Sequence, residues 1–379
     1  MKPPLPALLL LALPALGGAP RPPARRYALP LPAIRLGGPG AHGVRPFVDA
    51  DGYERHFRGV NAVVKGPPWH PTVGGFDFET SLVTEDFALL QAAGVSVIRL
   101  GMMWAGVEPQ RGQYNYTYIE TLRAVAATAA TYGIYTLLDM HQDAMSERFC
   151  GEGLPAWAVR PSGEMAFPEP VGPAFAPLEQ TGFPARSDCS RHTWSSYYFA
   201  EASATAFQAL YSNEDGLLDA WSAMWRTVAT AFKGDTHILG IEVINEPFPG
   251  DVIHKPELLR PEFADRTNLQ PVYDALAQDI WAVDPTRLFF FAGVPWGNLG
   301  SGFASAPGGA SNGYRSVLVF HHYEIPWQAF PKKSAARSIR VASGVQRSHA
   351  ALEAHTTARA RARAHTHTHT HTGRTVIHV

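Results

Sequence analysis

The stretch "IEVINEPFPG", residues 241–250, carries a carboxylate, Glu246, to the end of an apolar run. Ile241, Val243 and Ile244 read as a strand covered on both faces, as strands of parallel sheets are. Pro247 cannot continue a ladder, so Asn245 and Glu246 fall where strand passes into loop. A carboxyl group desolvated at an apolar strand end is suited to donate a proton near neutral pH. A lone strand-end glutamate is more often solvated or salt-bridged, so its company decides. Other apolar runs also end in polar residues: Asn61, Arg99, His141 with Asp143, and His321 with Tyr323, while Trp296 follows the fifth run. His141 and Asp143 are metal-ligand types, but no third ligand follows at ligand spacing. Contact with a polar substrate is the expectation, with no metal and no cofactor.

The elements that would position these residues alternate. "FVDADGYERHFRGVNAV" (47–63) reads as a hairpin turning at Asp51-Gly52 and leading into a strand that ends near Asn61. "TEDFALLQAAG" (84–94) reads as a helix capped by Thr84 and stopped by glycine. "VSVIRL" (95–100), a helix over 118–133, "IYTLLDMHQD" (134–143), a helical region over 195–232, "ILGIEVINE" (238–246), a helix over 271–285, "RLFFFAG" (287–293) and "SVLVFHHY" (316–323) continue the series. Strand alternating with helix argues a parallel sheet with right-handed crossovers. A doubly wound sheet would usually carry a glycine-rich phosphate loop after its first strand, and none is present. A barrel, with its polar residues on the C-terminal rim, fits better.

In this order and spacing "RGVNAV", "VIRLGMMW", "LLDMHQD", "VINEP" and "FHHY" resemble the (β/α)8 barrels of glycoside hydrolase family 5. Within that family "LLDMHQDAMSERFCGEGLPAW" is similar to the endoglycoceramidase branch, which cleaves glycan from ceramide. The resemblance implies that Glu246 is the acid/base and that Asn245 contacts the sugar 2-hydroxyl. It implies that Arg99 supports the catalytic carboxylates and that His141, Asp143, His321 and Tyr323 line the sugar pocket. Lys65 and Trp69, in "VVKGPPWHP", would lie at the rim of the first strand against the glycan. Trp69, Trp104, Trp157, Trp296 and Trp327 could each be core or sugar platform.

The fold class expected is therefore a (β/α)8 barrel of which about six strands are legible, over residues 45–330. Retaining hydrolysis also requires a nucleophilic carboxylate. In the family it follows the seventh strand, and no counterpart is evident, so the activity of this chain is expected to be impaired. Glu324 is a weak substitute, because it follows the sixth strand. Residues 331–379 hold no aromatic residue, a single acidic one, Glu353, and the alternations "ARARARA" and "HTHTHTHT", which translated dinucleotide repeats would produce. A His-rich metal strip is the alternative reading of that tail.

With 379 residues, 46% hydrophobic and 17% charged, the chain can bury a large core. A net charge of -1 gives no reason to expect nucleic acid or an anionic surface as partner. "MKPPLPALLLLALPALGGAP" has the build of a secretory signal peptide and is too short for a membrane span. A secreted or lumenal protein is expected, with residues 21–44 as a Pro/Gly-rich linker. Cys150 and Cys189 could pair there or remain buried thiols. "NYT" at Asn115–Thr117 is a glycosylation acceptor pattern. The substrate expected is a glycolipid or oligosaccharide. A glucosidase acting on steryl or ceramide glucosides, and a non-catalytic carbohydrate or glycolipid binder, are the rival readings.

Overall fold

The computed structural model describes residues 25–40, 44–77, 80–295 and 301–321. Tyr323, Trp296, Trp327, Glu324, the signal-like segment and the tail lie outside the described residues. A small antiparallel sheet comes first: β1 (Arg35–Leu36), β2 (Phe47–Val48) and β3 (Glu54–Arg55). β2 and β3 pair around the Asp51-Gly52 turn, where Gly52 takes φ +86°.

Six strands follow: β4 (Gly59–Ala62), β5 (Val97–Gly101), β6 (Tyr135–Asp139), β7 (Ile238–Glu242), β8 (Phe289–Ala292) and β9 (Ser316–Val319). They lie side by side in chain order and every pair is parallel. A doubly wound sheet would reverse its order at a switch point. This is the strand succession of a (β/α)8 barrel. The helices are α1 (Thr84–Ala92), α2 (Trp104–Val107), α3 (Tyr116–Thr131), α4 (Arg186–Cys189), α5 (Glu201–Tyr211), α6 (Leu217–Ala231) and α7 (Gln270–Val283). None of the described helices is long and apolar enough to cross a membrane.

Alternate residues of a strand share a face, which explains how one sequence supplies both core and site. Val97, Tyr135, Leu137, Leu288, Phe290 and Val317 join one buried cluster. Two residues further along their strands stand Arg99, beyond Val97, and Asp139, beyond Leu137. Phe47 stacks on Phe290 with ring centroids 6.3 Å apart, so the small sheet packs against this apolar layer. Part of the Pro/Gly-rich stretch is built into the fold as well: Leu31 and Leu36 are buried, and Tyr135 Oη donates to the Pro32 carbonyl at 2.8 Å. At Gly240 an added Cβ would lie 2.2 Å from the Phe290 ring, so strand β7 can approach β8 only with glycine there.

Two local expectations are corrected. Thr84 is the first residue of α1, not its cap; the Asp86 carboxylate accepts the Val83 N–H at 2.8 Å and the Ser81 hydroxyl at 2.9 Å. Strand β7 stops at Glu242, four residues before Glu246, and the segment after it is irregular.

Candidate active site

The segment Val243–Glu246 leaves the ladder but stays stitched to its neighbours. Val243 N–H donates to the Phe290 carbonyl, Asn245 N–H to the Met140 carbonyl at 3.0 Å, and Trp225 Nε1 to the Val243 carbonyl. Gln142, fully buried, donates from Nε2 to the carbonyls of Asn245 at 2.8 Å and Glu246 at 3.1 Å, while its Oε1 accepts the Met145 N–H. That clamp matters because Glu246 sits at φ +40°, a left-handed conformation that a β-carbon disfavours. The turn lifts its carboxylate toward β9, where Oε1 shares a hydrogen bond with His321 Nδ1 at 2.7 Å.

Behind the turn lies a buried charge network. Arg99 is 2% exposed and grips Glu242 with both arms, Nε to Oε2 at 2.7 Å and Nη2 to Oε1 at 2.8 Å. Its Nη2 also reaches Asp139 Oδ1 at 2.9 Å and donates to Asn245 Oδ1 at 3.0 Å, and Nη1 donates to Asn61 Oδ1 at 3.3 Å. Burial alone would lower the guanidinium pKa, but Asp139 and Glu242 outweigh it and raise it further. Asn245 is held from two sides, since its Nδ2 donates to the Gln142 carbonyl at 3.0 Å. Glu242 and Asp139 were not among the residues singled out in the sequence. Arg99 is ion-paired to these two carboxylates, and the Glu246 charge acts on it as well.

His141 donates from Nδ1 to Asp139 Oδ2 at 2.8 Å. Burial works against its positive charge, yet the Asp139 charge and hydrogen bond, with Asp143 beyond, raise its pKa to about 9. At neutral pH it is therefore imidazolium, with both ring nitrogens protonated, and Nε2 faces Asp143 Oδ2 at 3.7 Å. Asp143 also pairs with the Lys65 ammonium, which lies 3.0 Å from Glu152 Oε1. Burial opposes the Asp143 charge, but His141 and Lys65 hold its carboxyl below the ordinary range. Glu152 is pushed up to about 7 by burial and by its contact with Asp143. Here the structure corrects the sequence reading: Glu152 brings a third metal-ligand type, and with His141 and Asp143 it offers ligand atoms within 4.8 Å of one another. The Lys65 ammonium stands against both carboxylates, where a bound cation would have to displace it.

Trp69 is half-buried at φ 67°, with its carbonyl accepting the Tyr118 hydroxyl at 3.0 Å. Trp104 belongs to the core: it is fully buried, its Nε1 donates to Glu108 Oε2 at 2.8 Å, and it meets Trp157 edge-on. Cys150 and Cys189 form a disulfide with Cα atoms 5.4 Å apart, so the free-thiol alternative is excluded. The bond ties together the long segment between β6 and α5, inside which Phe149, Phe167, Phe175 and Tyr197 pack ring on ring. Tyr198, buried nearby, stacks on both Phe207 and Phe248, the latter two residues beyond Glu246.

Comparison with known proteins agrees with this geometry. Residues 48–378 match the family model "Cellulase (glycosyl hydrolase family 5)". An endoglycoceramidase of Cyanea nozakii is 48% identical over 279 residues, covering 74% of this chain and 55% of that protein. One from Hydra vulgaris is 47% identical over 279 residues, covering 74% and 54%. This chain thus spans about half the length of the curated relatives it matches. Among solved structures, endo-glycoceramidase II from Rhodococcus sp., in complex with ganglioside GM3, superposes with TM-score 0.59 at 24% identity, covering 77% of this chain and 62% of that one. That likeness is one of fold.

Proposed function

The chain belongs to glycosyl hydrolase family 5, and from that premise we propose that it serves the hydrolysis of a glycosidic bond in a glycosylceramide, with Glu246 as the acid/base. The observation that carries this reading is the carboxylate of Glu246, raised on a left-handed turn in the irregular segment after β7 and hydrogen-bonded to His321. A glycosidic oxygen leaves only when protonated, so a carboxylic acid must stand beside it. The similarity to endoglycoceramidases over 74% of the chain supports a glycolipid as substrate.

The charged residues around Glu246 support roles for this chain's own side chains. Asn245, fixed by Arg99 and Gln142, would present its amide to the sugar 2-hydroxyl. His141, Asp143, Lys65 and His321 would donate and accept hydrogen bonds around the sugar hydroxyls, with Trp69 beneath a ring. Hydrolysis with retention needs a second carboxyl about 5 Å from the acid. Asp139 and Glu242 are occupied by Arg99, and Asp143 by Lys65 and His141. None of these three stands free to serve as that second carboxyl, and weak turnover by the 379-residue chain is the outcome we propose. The Cys150–Cys189 bond and the signal-like first residues support a secreted or lumenal location.

The test is a fluorogenic lactoside assayed with the 379-residue chain and with a version whose segment after Phe330 is replaced by the last two strand-helix units of a related endoglycoceramidase. Turnover only in the second fits the proposal. Turnover by the unaltered chain that Glu246→Gln leaves intact would show the acid to be elsewhere.

A further inference from the structure

The function proposed above makes no use of "NYT", yet the fold presents that pattern in a form a glycan requires. Asn115 is exposed and caps α3, its Oδ1 accepting the Tyr118 N–H at 3.1 Å. Its backbone is fixed too, with the N–H donating to the Val107 carbonyl at 2.8 Å. The side-chain amide is thereby divided: the oxygen is committed to the helix, and Nδ2 makes no hydrogen bond among the described residues. A cap satisfied through oxygen loses nothing when the nitrogen is substituted. Tyr116 is 62% exposed and Thr117 is exposed beside it. An open groove of about 770 Å³, bordered by Val73, Leu82, Tyr116, Thr117 and Thr121, begins at these two residues and leaves room for sugar rings next to the chain.

Two further observations bear on the inference. The Cys150–Cys189 disulfide belongs to an oxidising compartment, which is where asparagine-linked transfer takes place. Asn115 also stands exposed at the start of α3, whereas Arg99, Asp139 and Glu242 are buried.

We infer that Asn115 is an N-glycosylation site whose glycan is attached through Nδ2 while Oδ1 continues to cap α3. In the transfer, Nδ2 attacks the anomeric carbon of a polyprenyl-pyrophosphate-linked oligosaccharide. The C–N bond forms, the C–O bond to pyrophosphate breaks, the pyrophosphate leaves with the electron pair, and the amide proton passes to a base of the transferase. The inference rests on the lumenal location and is independent of whether the barrel hydrolyses anything.

Cell-free translation of the full chain with microsomes reads the acceptor directly, because transfer requires translocation and not a finished fold. The expected result is one glycan-sized step in mass, removed by peptide N-glycosidase to leave aspartate at position 115 in the peptide map. Asn115→Asp, which keeps a side-chain oxygen to cap α3, and Thr117→Ala should both abolish the step; Thr117→Ser should keep it. A chain protected inside the microsomes but unmodified would overturn the inference, as would a chain that stays outside, or a glycan that survives Thr117→Ala.

Discussion

Replacing Arg99 by methionine would test whether the buried charge network holds the turn that carries Glu246. The side chain is 2% exposed and is the guanidinium shared by two fully buried carboxylates, Glu242 and Asp139. Methionine fills much of the volume, so the loss is electrostatic rather than a cavity. Removing one partner of a buried ion pair costs about 3–5 kcal/mol, because the other charge is left desolvated. Protonation limits that cost. Neutralising a carboxyl of ordinary pKa about 4.3 takes about 3.7 kcal/mol at pH 7 and about 1 kcal/mol at pH 5. His141, imidazolium at both pH values, still faces Asp139, so Glu242 is the group left alone. Arg99→Met should therefore lower the unfolding free energy by about 3–4 kcal/mol at pH 7 and by clearly less at pH 5. Arg99→Met combined with Glu242→Gln should recover part of the loss at pH 7. The assay is urea unfolding of wild type and both variants at the two pH values. A deficit below about 1 kcal/mol, or one that does not change with pH, would refute the network's role.

The His141 pKa of about 9 lies above its ordinary 6.5, so the pairing with Asp139 contributes fully below pH about 6.5 and is lost as pH rises through about 9. The stability gap between wild type and His141→Asn should follow that window in urea titrations, with a ceiling of about 3 kcal/mol; a gap that grows above pH 7 would contradict it. Reducing the disulfide, which closes a separation of 39 residues, should cost about 4 kcal/mol on the chain-entropy account and expose the segment between β6 and α5 to limited proteolysis. Gly153, at φ +119°, would place an added Cβ 2.4 Å from the His141 carbonyl, so Gly153→Ala should lower the melting temperature sharply, whereas Gly52→Ala, with open space around it, should lower it much less.

The six strands could be read in the sequence because each is a short apolar run closed by polar residues and separated by a helical period. His321 and Glu246 were legible for the same reason, as strand-end residues that parallel order brings to one rim. Glu242 and Asp139 were not, although a charge inside an apolar run must be paired if buried: their partner Arg99 is 143 residues from Glu242 in sequence, and only the strand order joins them. Gln142 was missed because its part depends on a backbone turn at Glu246 that no local pattern announces. The third member of the His141–Asp143–Glu152 group lies in a loop folded back by Gly151 and Gly153, beyond any fixed ligand spacing. The cap of α1 was misplaced by one residue because Thr84 and Asp86 offer competing signals, and the carboxylate takes the bond.

The most direct test of the account is the rate at which a chimaera, carrying the last two strand-helix units of a related endoglycoceramidase after Phe330, hydrolyses two lactosides that differ only in leaving group. If Glu246 supplies the proton, Glu246→Gln should slow release of a poor leaving group by on the order of 10²- to 10⁴-fold, slow an activated nitrophenolate far less in the step that forms the glycosyl-enzyme, and leave lactose binding nearly intact. Equal slowing of both substrates, or near-normal rates on the poor one, would contradict the assignment of Glu246 as the acid.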